Sequence, residues 1–582
     1  MNKRFGAAVL CTVLFFTGCN GVQGESSSVA ESQGDTTGYE STEQTKTEGS
    51  STTAAEDTTK EYLYGKEEDY VTDIPSDAVT ITGKGDTVEI SGKGAQAEAG
   101  SVTITQAGTY VLEGSFYGQI LIDAGRDDLV HLVLAGVNIV SEESAAIYGL
   151  QSDKIVITLQ DGTENSVSDG SAYVYAEADE DEPNAVIFSK DDLTFNGNGS
   201  LCAEGNYEDG IRTKDDLLFI SGTYKLTTVK DAIQGKDSVT IVDGNFVIDA
   251  GNDGIKSSND SDTEKGWVTI AGGTYEISAG DDALHAETDM LIEDGVIHIL
   301  SCYEGIEGLN VTINGGEISL YASDDGINAA GGDSSENTPM GGGFGGNQDA
   351  LIEINGGTIF VDAEGDGLDS NGSLVVNGGT IFVEGPISGG DGALDYEFSA
   401  TINGGTVVAT GSAEMAMGFD GGSQCFFFYN LENTQKGDSD LVLTDAQGKE
   451  LLSRTIGKQY SSVVISMPDM EEDGTYQIKA GEETAEIALD GTSYSNGRNG
   501  FGQGGPGQRD FDRKEFESGE FEPGDFEPGD FNPEDFEKNG FGDGGEGGMP
   551  GGPPEGFENQ NGKSKEDNKK EETKSEADSR NT

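Results

Sequence analysis

Basic residues are scarce in this chain. Its 582 residues hold 33 Lys and Arg against 108 Asp and Glu, a formal net charge of −75. Nucleic-acid binding is excluded on that ground, because phosphate contacts need clustered Lys and Arg. A site that must attract an anion unaided is excluded as well. Histidine occurs three times and tryptophan once, which leaves little material for His-based metal or acid/base sites. Hydrophobic residues make up 34%, low for one compact globule, so part of the chain should stay unburied. Beyond Cys11 and Cys19 the cysteines are Cys202, Cys302 and Cys425, an odd set that suggests no disulfide framework. Glycine, by contrast, is abundant: 89 residues, about 15% and roughly twice ordinary usage. Without a three-residue period these glycines do not make collagen, so they serve turns or unburied segments.

The two ends read differently from the middle. Residues 1–19 have the pattern of an export signal: Lys3 and Arg4, a short apolar core from Phe5 to Phe16, then Thr17-Gly18-Cys19. The apolar stretch is too short to span a bilayer stably, which favours cleavage. Thr-Gly-Cys resembles a bacterial lipobox, with Phe16 where Leu is commoner, and this implies lipid on Cys19; the other reading is an ordinary cleaved signal. Residues 20–75, rich in Ser, Thr and Glu, are predicted to be a solvated spacer. Residues 491–582 are predicted to be a disordered acidic tail, since isolated Phe residues among acids, as in Phe521-Glu522-Pro523-Gly524-Asp525, build no core.

The middle repeats. An acid, a small residue and an aliphatic recur as Asp209-Gly210-Ile211, Asp231-Ala232-Ile233, Asp253-Gly254-Ile255, Asp282-Ala283-Leu284, Glu304-Gly305-Ile306, Asp325-Gly326-Ile327 and Asp366-Gly367-Leu368. Steps are 21 or 22 residues, with two longer ones of 29 and 41 whose excess is polar. Six and eight positions after four of these aliphatics come the apolar pairs Leu217 and Phe219, Val239 and Ile241, Met290 and Ile292, and Leu374 and Val376. A turn follows, often Asn-Gly-Gly as at Asn314, Asn355, Asn377 and Asn403, and then a second strand with inward pairs such as Tyr224 and Leu226 or Phe246 and Ile248. Three short strands and three corners in about 22 residues describe one coil of a parallel β-helix, right-handed by the general preference of parallel crossovers. The predicted fold is therefore an all-β right-handed parallel β-helix over 76–425, closed by a small β cap over 426–490 that covers the last rung. Cys202 and Cys302 would lie about four rungs, or roughly 19 Å, apart, far beyond disulfide reach.

Stacking would place the seven acids in one column. Carboxylates about 5 Å apart repel by about 3 kcal/mol per pair at an effective dielectric near 20. Three routes relieve this: donation from corner backbone N–H groups, bound Ca²⁺, or raised pKa values. Three positions after each acid come Arg212, Gln234, Lys256, His285, Glu307, Asn328 and Asp369. Early rungs thus offset their acids with cations, while later rungs add oxygen donors. The expected calcium ligands are Asp253, Asp282, Glu304, Glu307, Asp325, Asp366 and Asp369. The segment from Asp260 to Glu264 lacks the Gly of an EF-hand and reads as a solvated loop.

Taken together, Ala107-Gly108-Thr109-Tyr110-Val111-Leu112, Val133-Leu134-Ala135-Gly136-Val137, Thr163-Glu164-Asn165, the Asp-Gly-Ile coils and the Asn-Gly-Gly corners give a resemblance over about 76–490. The chain resembles the bacterial carbohydrate-binding domain-containing β-helix proteins, described from cellulolytic clostridia and related to the pectate-lyase-like superfamily. That resemblance implies surface display, binding of a cell-wall polysaccharide such as cellulose or polygalacturonate, and calcium within the helix. The expected protein is a monomeric, non-catalytic, lipid-anchored binder on the outer face of the cell membrane. Sugar rings would stack on Phe360, Phe382, Tyr303 and Tyr321; the other reading of the two Phe rings is that a loop or the C-terminal cap covers them. One alternative is a calcium-dependent polyuronate lyase with Lys256 or Arg212 as base; another is an adhesin-like spacer.

Overall fold

The computed structural model describes residues 64–497, except 176, 178–179, 331–346 and 388. The export signal with Cys19, most of the spacer and the tail from 498 onward lie outside the described residues. Within them the chain is built from β-strands and one short 3₁₀ turn, Glu67–Tyr70. A typical coil runs from Asp216–Phe219 through a corner into Thr223–Thr228, then through the acid-bearing corner into Ile233–Gly235. Each of these strands pairs in parallel with its counterpart one coil on, which makes three ladders.

Register follows chemistry. Ile211, Ile233, Ile255, Leu284, Ile306, Ile327, Leu368 and Leu394 stand opposite one another along the third ladder. Tyr224, Phe246, Tyr275, Ile297, Ile318, Ile359, Ile381 and Val407 do so along the second. All of these are buried, and with the inward pairs of the first ladder they form one continuous core. A one-residue slip would turn every aliphatic outward, so burial itself fixes the register. Aromatics stack where they follow one another: the rings of Tyr224 and Phe246 are 4.8 Å apart, those of Phe246 and Tyr275 5.1 Å. The acid and the small residue of each motif mostly form the corner itself, and the short strand starts at the aliphatic, as in Ile233–Gly235 and Ile255–Ser257. Cys202, Cys302 and Cys425 form no disulfide.

The solenoid ends by a change of strand direction. Thr406–Gly411 pairs antiparallel with Tyr460–Ser466, which pairs antiparallel with Phe426–Gln435. A separate antiparallel sheet runs in the order Glu450–Ile456, Ser439–Asp445, Thr475–Ala480, Glu483–Ala488. This cap has its own core, including Phe427, Leu441, Leu443, Tyr460, Val463 and Ile478.

At the other end one expectation is corrected. Residues 64–75 fall in the stretch assigned to a solvated spacer, yet Asp69 is fully buried. Its carboxylate accepts from Lys154 Nζ at 3.0 Å and Thr194 Oγ1 at 2.7 Å, and Asn196 Nδ2 donates to its carbonyl at 2.8 Å. Composition missed this because a single acid with partners 85 to 127 residues away has no local signature.

Candidate functional site

The acids line the corner between the second and third ladders, and their spacing is what brings them there. One rung's Oδ1 accepts the backbone N–H of the next rung's acid: Asp209 from Asp231 at 3.3 Å, Asp231 from Asp253 at 3.2 Å, Asp253 from Asp282 at 3.1 Å, Asp325 from Asp366 at 2.6 Å. Asp366 in turn accepts from Gly392 N. An Asp side chain is short enough to reach along the axis and satisfy an N–H that the turn leaves unpaired. The column is thus partly a structural capping device.

The second carboxylate oxygen divides the column into two halves. In the first half it meets a partner of its own: Arg212 Nη1 lies 2.7 Å from Asp209 Oδ2, Lys256 Nζ 2.7 Å from Asp253 Oδ2, and His285 Nδ1 2.8 Å from Asp282 Oδ2. Asp231 differs, since Asn252 Nδ2 donates to its Oδ1, the oxygen that also accepts from Asp253 N, at 2.7 Å. Burial alone would lower the Lys256 ammonium, but Asp253 raises it above its ordinary value. Lys256 is therefore held protonated, the opposite of what a general base needs.

In the second half the partner column turns acidic. Glu307, Asn328, Asp369 and Asp395 stand in register one after another. Burial first, then repulsion from neighbouring acids, pushes the Asp366 carboxyl up to about 8 and Asp369 to about 7, and Asp325, repelled by Asp324, Asp391 and Asp395, to about 6. Burial also lifts Glu304 to about 8, against the hydrogen bond from Asn328 Nδ2 at 2.8 Å. Oxygens of Asp325, Asp366 and Asp369 lie within 4.8 Å of one another. Beside them Asn328 is 7% exposed, and its Oδ1 has no hydrogen-bond partner. Asn328 stands in register with Asp369 of the following rung, while its Nδ2 reaches back to Glu304.

The expected metal ligands therefore separate. Asp325, Asp366 and Asp369 converge; Asp253 and Asp282 group with Asp281; Asp282 and Glu307 group with His285; Glu304 joins none of these clusters among the described residues. A further cluster, Asp192, Asp215 and Asp216, was not anticipated. Its signal was present as the paired acids Asp191-Asp192 and Asp215-Asp216, one coil apart.

The aromatics separate too. Tyr303 and Tyr321 are 48% and 41% exposed beside the acidic corner, with Leu300 at 54%. Tyr303's carbonyl accepts from Asp324 N at 2.9 Å, which places this ring next to the Asp325 rung. Phe360 and Phe382 instead lie under the cap, with the guanidinium of Arg454 at 5.3 and 3.9 Å from their ring centres. The ring face expected to receive a sugar is occupied by Arg454.

Residues 98–344 match the family model described as carbohydrate-binding domain-containing protein. A protein of that description from Acetivibrio thermocellus is 41% identical over 122 residues, a match covering 21% of this chain and 43% of the relative's length. A solved structure, the polysaccharide lyase-like protein from C. thermocellum in a gadolinium derivative, is 31% identical over 50% of this chain and 95% of its own, with a TM-score of 0.36. Over residues 98–344 the chain is similar to carbohydrate-binding domain-containing proteins, and it spans less than half the length of the curated relative it matches.

Proposed function

We propose that this protein binds an extended acidic cell-wall polysaccharide, of polygalacturonate type, through Ca²⁺ held at the Asp325–Asp366–Asp369 corner, without cleaving it. The observation that carries the reading is the convergence of three carboxylates that form no ion pair with a Lys or Arg among the described residues, next to an orphaned Asn328 Oδ1 and two exposed tyrosines. Hard oxygen donors of this kind suit Ca²⁺. The cation would compensate the burial, and after it the repulsion, that raise these pKa values, and it would invert the local field, giving a uronate carboxylate something to bind on an otherwise acidic surface. Tyr303 and Tyr321 offer ring faces to the sugars alongside. The regular stacking of coils suits a polymer that repeats along its length.

Binding is favoured over eliminative cleavage because Arg212 and Lys256, the cations beside the column, each neutralise the acid three residues earlier. Cys19 would carry the lipid that holds the protein on the outer face of the membrane, and the segment after it would serve as a spacer.

The test is retention of the full chain on insoluble polygalacturonate and on cellulose, with Ca²⁺ and with chelator, while ultraviolet absorbance follows unsaturated product. Expected is calcium-dependent retention on polygalacturonate, no rise in absorbance, and loss of retention in the Asp366→Asn/Asp369→Asn double variant. Retention indifferent to chelator removes the calcium bridge. No retention on either polymer overturns the reading in favour of a spacer.

A further inference from the structure

Two rungs before the calcium corner the donor set changes from oxygen alone to oxygen and nitrogen. His285 is 8% exposed on the third ladder, directly opposite Glu307 of the next coil. Its Nδ1 lies 2.8 Å from Asp282 Oδ2 and 2.6 Å from Glu307 Oε2. Two carboxylate oxygens thus converge on one ring nitrogen, which can offer a single proton along a single direction. On the far side of the ring, Nε2 is buried without a hydrogen-bond partner, and so is Glu287 Oε2. Glu287 Oε1 stands 3.5 Å from Nε2, too far for a good hydrogen bond.

We propose that Asp282, His285 and Glu307 form a binding site for a divalent first-row transition-metal ion of the Zn²⁺ class, with Glu287 as the positioning residue for the imidazole. An ion on Nδ1 satisfies both converging carboxylates at once and fixes the neutral ring with its proton on Nε2. That proton then points at Glu287, the carboxylate–histidine–metal arrangement that orients ligating histidines. The orphaned Nε2 thereby acquires a role. Charge favours the ion over a proton as well: three carboxylates around an imidazolium leave two negative charges buried together, whereas around a neutral ring and a divalent ion they leave one. The neighbouring Lys256 is already matched by Asp253 and adds no unbalanced cation. Imidazole nitrogen suits Zn²⁺ and its neighbours rather than Ca²⁺, which prefers six to eight oxygens. The solenoid would then carry two classes of cation at different rungs, and this site stands whether or not the glycan reading does.

The test uses the full chain with Ca²⁺ in excess, so that oxygen-only sites are filled. Co²⁺ is added and its visible absorption followed, then displaced by Zn²⁺ in a calorimetric competition. Expected is one equivalent bound in the wild type, lost in His285→Gln, and weakened roughly ten- to a hundredfold in Glu287→Gln, the loss usual for an outer-shell partner. Absence of Co²⁺ and Zn²⁺ uptake by the wild type overturns the proposal, as does a His285→Gln variant that binds as tightly. If circular dichroism shows His285→Gln unfolded, the wild-type imidazole resonances decide: a Zn²⁺-induced shift of His285 supports the site, and an unmoved ring rejects it.

Discussion

A carboxylate in this corner has a different fate according to the residue three positions on. Asp253 followed by Lys256 is a capped, paired acid; Asp366 followed by Asp369 is a half-buried acid beside another. The consequence for pH follows from linkage. The ordinary values are 3.8 for Asp and 4.5 for Glu, whereas Asp325, Asp369, Asp366 and Glu304 sit at about 6, 7, 8 and 8 in the folded chain. Between those limits the folded state holds protons that the unfolded chain releases. Stability from these groups is therefore complete below about 4 and is lost as pH rises through 6 to 8. Glu287, lowered by its contact with His285, acts in the opposite sense but only below its ordinary 4.5. The calcium-free protein should show a melting temperature that falls from pH 5 to pH 8, and millimolar Ca²⁺ should flatten the fall. A chelated protein whose melting point is level across that range, or rises, contradicts the assigned repulsion.

At the scale of the element, each coil is held by corners as much as by its core. Asn314, Asn355, Asn377 and Asn403 form a ladder in which each Nδ2 donates to the preceding Oδ1, at 2.9, 2.8 and 2.9 Å. The second glycine of the same turn supplies a backbone that other residues resist: Gly379 has φ +90°, and a Cβ there would sit 2.8 Å from Gly356 O. These two contributions can be ranked. Asn377 is exposed, so Asn377→Ala should cost about 0.5–1.5 kcal/mol in urea unfolding. Gly379→Ala should cost more, about 1–2 kcal/mol from the left-handed backbone alone, with the clash in addition. The reverse order would show that the amide ladder, not the turn geometry, sets the corner. Coils, corners and inward columns were legible in the sequence because a repeat writes the same burial requirement many times over. Even the capping of one acid by the next N–H was among the routes that spacing allowed. What escaped was whatever occurs once: Asp69 docking on Lys154, or Arg454 lying on Phe382, rests on contacts between distant segments with no period to announce them.

For the solenoid and its cap, the question is how an acidic stack ends. The last coils bring Asp362, Glu364 and Glu384 to the outer face of the second ladder, and the cap answers with its own cations and N–H groups. Lys458 Nζ lies 3.0 Å from Asp362 Oδ1 and 3.5 Å from Glu364 Oε1, and donates to Ala363 O at 2.6 Å. Glu384 accepts the backbone N–H groups of Gly457 and Lys458 at 2.9 and 3.1 Å. Arg454 covers Phe382 one strand away. The cap therefore does two jobs, closing the open edge through Tyr460–Ser466 and matching charge along the flank. The coils and the cap already share apolar packing, since Phe426, Phe428 and Val464 join the coil core and Val408 joins the cap core, and this flank adds a polar coupling between them. Removing both cations, in Arg454→Ala/Lys458→Ala, should cost about 0.5–1 kcal/mol for the ring contact and about 1.5–3 kcal/mol for the charged hydrogen bonds. It should also split urea unfolding into two transitions, with protease cutting first within 426–497. A variant that unfolds in one step at the wild-type midpoint would mean that the shared apolar packing and the antiparallel pairing of Thr406–Gly411 with Tyr460–Ser466 hold the cap in place without this flank.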